Sequence, residues 1–139
     1  KGLAAEEEAG LVVHGFSHAR ISVRRQSDGF VSLIRVEGDE EQEHVISTRL
    51  IDEQAITLRV TVTTNAVCDW SWSVDGVSFK RVGQETFTAS KSRWVGAKVG
   101  LFALADIESD VPTGFADFSY FRVAAASNRL SALQEDETL

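Results

Sequence analysis

The 139 residues include no methionine, a single cysteine and a single proline, and bases are outnumbered by acids, 14 to 21. One cysteine cannot close an internal bridge, which excludes a disulfide-stapled scaffold and suits a cytoplasmic or a secreted location alike. Apolar runs extend only a few residues, against the roughly 20 needed to span a bilayer, and no signal-peptide pattern opens the chain. The sequence therefore reads as soluble, with no membrane partner. A net charge of −7 argues against nucleic acid, which requires a clustered positive face. Without a methionine, Lys1 is not a translation start, which points to a processed or excerpted piece of a longer protein.

What is present is enough for one domain with a core that needs no staple. The acid is concentrated in Glu6–Glu8, in Asp39, Glu40, Glu41 and Glu43, and in Glu135–Glu137, leaving eleven acids against fourteen bases elsewhere. These clusters read as solvated loop and terminal charge. Calcium has no supporting motif, because the alternating acids and central glycine of a calcium loop are absent.

Period-two alternation dominates and places successive side chains on opposite faces of strands. From Ile56 to Thr63, Ile56, Leu58, Val60 and Val62 alternate with Thr57, Arg59, Thr61 and Thr63, the pattern of a half-buried antiparallel strand. Cys68, Trp70 and Trp72 alternate with Asp69, Ser71 and Ser73 up to an Asp75-Gly76 turn, with Phe79 and Val82 starting the return. Strands are also expected at Leu11–Val13, at Ala19–Arg24, at Phe30–Val36 after the Asp28-Gly29 turn, and at Val45–Leu50. Ala97–Ala105 is apolar on both parities except Lys98 and reads as a central strand covered on both faces, with Gly100 marking a bulge or close approach. Phe115–Val123 reads as the last strand, and residues 124–139 as a frayed helix or disordered acidic tail. The class is therefore all-β, a sandwich or barrel over residues 1–123.

Few residues suggest chemistry. His14 and His18 are four apart, but in strand-and-turn context rather than on a helix, and His44 is remote, so no metal is assigned. No Gly-x-Ser-x-Gly elbow or phosphate-binding glycine loop occurs. Acids between Glu37 and Glu43 lack the alternating apolar partners that would set two carboxylates on one strand face for glycoside hydrolysis. Cys68 reads as a small buried hydrophobe. Aromatic rings remain, since they stack on sugar faces. Trp70 and Trp72 share the face of Cys68, whereas Trp94 follows the polar stretch Ser90-Lys91-Ser92-Arg93 and should sit at a strand edge.

"EEEAGLVVHGFSHARISVRR", "CDWSWSVDGVSF", "RWVGAKVGLFA" and "GFADFSYFRV", in that order, resemble the C-terminal concanavalin A-like β-sandwich of glycoside hydrolase family 43, the β-xylosidases and α-L-arabinofuranosidases of hemicellulose and xylan degradation. The resemblance spans Glu8 to Val123. It implies an antiparallel jelly roll lacking its first strands, since family sandwiches begin some strands before Lys1. Catalysis in that family belongs to a five-bladed propeller with three acids, which nothing here matches, so no catalytic residue and no cofactor is carried over. The implied role is a non-catalytic accessory domain that packs on its own propeller and helps close the pocket for a xylo- or arabino-oligosaccharide. Trp94 matches the position of the family's pocket-rim aromatic. The alternatives are an autonomous carbohydrate-binding module, with Trp70 and Trp72 as stacking residues, and a purely structural or homo-oligomerising sandwich. Missing strands would come from an N-terminal segment or another chain. Ser119 stands where the family often has Asp, and Trp70 and Trp72 where Phe and Tyr are usual.

Overall fold

The computed structural model describes residues 2–105 and 114–126. It is an antiparallel β-sandwich, with no helix beyond one turn at Thr64–Ala66 among those residues. The strands are β1 (Glu8–His14), β2 (His18–Arg25), β3 (Val31–Gly38), β4 (Glu43–Ile51), β5 (Thr57–Thr63), β6 (Val67–Ser73), β7 (Lys80–Arg81), β8 (Phe87–Thr88) and β9 (Lys98–Leu104). One sheet runs β4-β3-β2-β1-β9 and the other β5-β6-β7, with β8 pairing β6 beyond β7.

Alternation explains why the sheets face each other. Leu11, Val13, Ala19, Ile21, Leu33 and Ile51 project from the larger sheet onto Cys68, Trp70, Trp72, Val82 and Phe87 of the smaller. In the β5–β6 hairpin, Val60 stands opposite Trp70 and Leu58 opposite Trp72, apolar cross-strand pairs that fix the register. The following turn is held by short side chains. The Asp75 carboxylate accepts the amides of Val77 and Ser78, and the Ser73 hydroxyl accepts that of Gly76, whose φ of 74° suits glycine. Those amides hold the exposed Asp75 carboxyl well below its ordinary range, at about 2.

One charge is buried between the sheets. Arg35 of β3 is fully buried, pairs with Glu37, and donates to the Glu85 carbonyl of the β7–β8 connection at 2.5 Å. It ties the larger sheet to the β7–β8 connection of the smaller one.

Three expectations are corrected. Ala97–Ala105 is not a central strand among the described residues: there β9 lies at the sheet edge and pairs with β1 alone, and most of its residues are exposed. Its Val99 and Leu101 share the inward side with Val13 and Leu11 but remain 42% and 40% exposed, because the smaller sheet stops at β5 and nothing described lies over them. Gly100 faces open space, and the close approach is at Gly10, where a Cβ would lie 2.1 Å from the Ile21 carbonyl oxygen. Phe115–Val123 forms no strand, and its Phe115, Phe118, Tyr120, Phe121 and Val123 are exposed. Backbone pairing requires a neighbour, and this segment touches the rest through Phe115 N–H to the Gly2 carbonyl and a Tyr120–Thr57 hydroxyl contact. In the expected tail, residues 124–126 are not helical, and 127–139 lie outside the described residues.

Candidate functional site

The β8–β9 connection, residues 89–97, forms one end of the sandwich together with the turn between β1 and β2. Its position is fixed by backbone geometry. Phe16 N–H donates to the Lys91 carbonyl at 3.1 Å, and Ser17 N–H donates to Ser90 Oγ at 2.8 Å, the two serine hydroxyls lying 2.9 Å apart. Gly15 permits this contact, since a Cβ there would meet the Ser90 carbonyl oxygen at 2.1 Å. Ser92 N–H then donates to the Val95 carbonyl at 2.9 Å, closing a turn with Arg93 and Trp94 at its tip. Trp94 is 93% exposed, and Phe16 on the neighbouring turn is also exposed. An indole held in water by an anchored turn has lost the benefit of burial, the usual mark of a ring that meets a partner.

Trp70 and Trp72 have the opposite environment, 1% and 5% exposed. Trp70 lies in the core with its Nε1 unpartnered, and Trp72 has the cations of Arg49 and Lys80 at 5.5 and 6.0 Å from its ring centre. Neither ring offers a face to a sugar, so the stacking role set against these two in the sequence is corrected: alternation with Asp69, Ser71 and Ser73 turned them inward. Cys68 is buried beside them, and burial pushes its thiol up, away from the nucleophilic thiolate.

Across the same end the histidines stack rather than converge on a metal. His14 and His18 have ring centres 6.1 Å apart, and His18 Nε2 lies 2.8 Å from the Glu43 carboxylate. That carboxylate also takes Arg20 Nη1 at 2.6 Å, while Glu8 takes Arg20 Nε at 2.7 Å and the Ser22 hydroxyl. Burial opposes the Arg20 charge, but the Glu43 and Glu8 carboxylates outweigh it and hold the guanidinium above its ordinary range; the Arg20 bond in turn holds Glu43 low. This network is closed on itself. No group of three or more His, Cys, Asp or Glu that could hold a metal occurs among the described residues. Asp39 is occupied likewise, accepting the amides of Glu41 and Gln42 within its own loop.

A hollow of about 300 Å³ lined by Glu6, Glu8, Arg24, Leu104 and Ala105 lies at the opposite end of β1 and β9. It is some 20 Å from the Trp94 turn at about 3.3 Å per strand residue. It is open and shallow, and its carboxylates are engaged by Arg20 and Arg24. Sequence reasoning expected Trp94 at a strand edge but gave no sign of the exposed Phe16 beside it or of the Ser17–Ser90 anchor, which joins residues 73 apart and leaves no local signal. No described helix is long and apolar enough to cross a membrane.

The family model for the beta xylosidase C-terminal concanavalin A-like domain matches residues 1–124. A solved bifunctional GH43-CE protein of Bacteroides eggerthii is similar at TM-score 0.69 and 18% identity, over 81% of this chain and 14% of its own. A GH43 glycoside hydrolase, whose engineered active site displays both endo-xylanase and exo-arabinofuranosidase activity, is similar at TM-score 0.65 and 22% identity, over 76% of this chain and 24% of its own. No curated protein matches the chain. The chain thus spans a quarter or less of these solved relatives, and identity this low carries the fold alone.

Proposed function

Because the chain belongs to the C-terminal concanavalin A-like domain family of β-xylosidases, an accessory domain of family 43 enzymes, we propose that it packs against a catalytic propeller and closes that domain's sugar pocket with Trp94. The observation that carries this reading is a 93% exposed indole at the tip of a turn anchored at both sides. The uncovered inward side of β9 and the exposed aromatics of residues 115–123 support it as well, since surfaces of this kind are covered in a stable assembly. Their cover would come from further strands or from the propeller of a longer polypeptide. A pocket closed from the far side favours release of units from the ends of xylo- or arabino-oligosaccharides, because a long polymer cannot thread through it. The domain supplies no catalytic acid in this reading, only shape.

The test is Trp94→Ala in the full-length protein with a xylobiose-type substrate. Loss of one stacking contact, about 0.5–1.5 kcal/mol, predicts a KM raised roughly 2- to 13-fold with kcat preserved. Unchanged kinetics would sink the pocket role. An autonomous carbohydrate-binding module would instead show saturable binding of xylan fragments by the domain alone in calorimetry, and with Trp70 and Trp72 buried it would have to rely on Trp94.

A further inference from the structure

The turn that carries Trp94 is also where positive charge gathers. Residues 89–98 contain Lys91, Arg93 and Lys98 and no acid, in a chain of net charge −7. All three are exposed. Of the other described bases all but Arg25 are engaged: Arg20, Arg24, Arg35 and Arg81 pair with carboxylates, and Arg49, Arg59, Lys80 and Arg122 lie over aromatic rings. Lys91, Arg93 and Lys98 have neither kind of partner among the described residues. The nearest carboxylate at this end, Glu43, is taken up by Arg20 and His18 of β2, and the next acidic group, the β3–β4 loop with Asp39, Glu40 and Glu41, is reached from β9 across β1 and β2. Three strand spacings make about 14 Å, beyond the screening length of about 8 Å at physiological salt. The end of the sandwich is thus polarised, basic beside Trp94 and acidic at its far side.

Resting on the reading of Trp94 as a pocket-rim residue, we propose that this turn selects sugars bearing a carboxylate, a uronic acid unit on a hemicellulose oligosaccharide. A pyranose ring offers the indole an apolar face, and its carboxylate matches the planar fork of Arg93, with Lys91 and Lys98 adding unpaired charge. A neutral oligosaccharide uses the indole and leaves three cations idle. Nucleic acid is a poor match, since three cations in an acidic protein give little counterion release.

The experiment compares kcat/KM of the full-length protein on xylotriose and on xylotriose carrying one glucuronic acid, at low and high salt. The ratio of acidic to neutral substrate is expected above one, falling several-fold in 0.5 M salt and about 10-fold in the double variant Lys91→Gln, Arg93→Gln. Lys91→Glu with Arg93→Glu should push it below one. A ratio that ignores both salt and substitution overturns the proposal. So does an equal fall on both substrates with a displaced pH profile, which would mean that the cations answer to carboxylates of the catalytic domain. Trp94→Ala without effect on either substrate would overturn the pocket reading separately.

Discussion

Strands β6 and β9 have seven residues each, and the less apolar one is the better buried. VCDWSWS contains Asp and two serines, yet five of its seven residues are buried; KVGLFAL has one polar residue and none buried. The difference lies in what stands opposite. β6 is flanked by β5 on one edge and by β7 and β8 on the other, and faces the middle of the larger sheet, whereas β9 has one neighbour and no covering layer among the described residues. Hydrophobic stabilisation scales with area removed from water, so an apolar strand contributes little until another layer arrives. On the proposed reading, the open flank is a surface for the catalytic propeller or further strands to cover.

The comparison can be broken most forcefully in the covered half. Trp70→Ala opens a large void between the sheets and is expected to cost about 3–5 kcal/mol, read as a lowered urea midpoint; a loss below about 1 kcal/mol would show that this half is not the core. Arg35→Ala should come next, at about 3 kcal/mol, since it removes a fully buried cation and leaves Glu37 and the Glu85 carbonyl without their partner. Leu101→Ser on the open flank should change stability by less than about 0.5 kcal/mol in the 139-residue domain, as exposed positions do. In the full-length protein its cost should rise to about 2 kcal/mol if a further layer covers β9. Equal small costs in both contexts would mean that the flank stays open.

The smallest effect concerns pH. The carboxyl of Asp75 titrates at about 2 in the fold, below its ordinary 3.8, so the stability it contributes is complete above about 4 and is lost as pH falls toward 2. Asp75→Asn should flatten the acid limb of the stability profile in that window. An unchanged limb would assign acid sensitivity to other carboxylates.

Trp94 and its flanking cations were legible in the sequence as a polar, turn-like stretch holding one large ring. The anchor at Ser17, the exposure of Phe16 and the isolation of Lys91, Arg93 and Lys98 from acids were not, because each depends on residues distant along the chain. Trp70 and Trp72 show the same division: alternation with polar neighbours revealed a shared face, but only the opposing sheet made that face the interior. The class of the fold, its hairpin turns at Gly29 and Gly76 and its family follow from the sequence alone, because alternation and turn chemistry act over a few residues. Which strand stands at the edge, which tryptophan is buried and which end carries unpaired charge were decided by tertiary structure, because burial and electrostatics depend on what lies across a gap and not on what comes next in the chain.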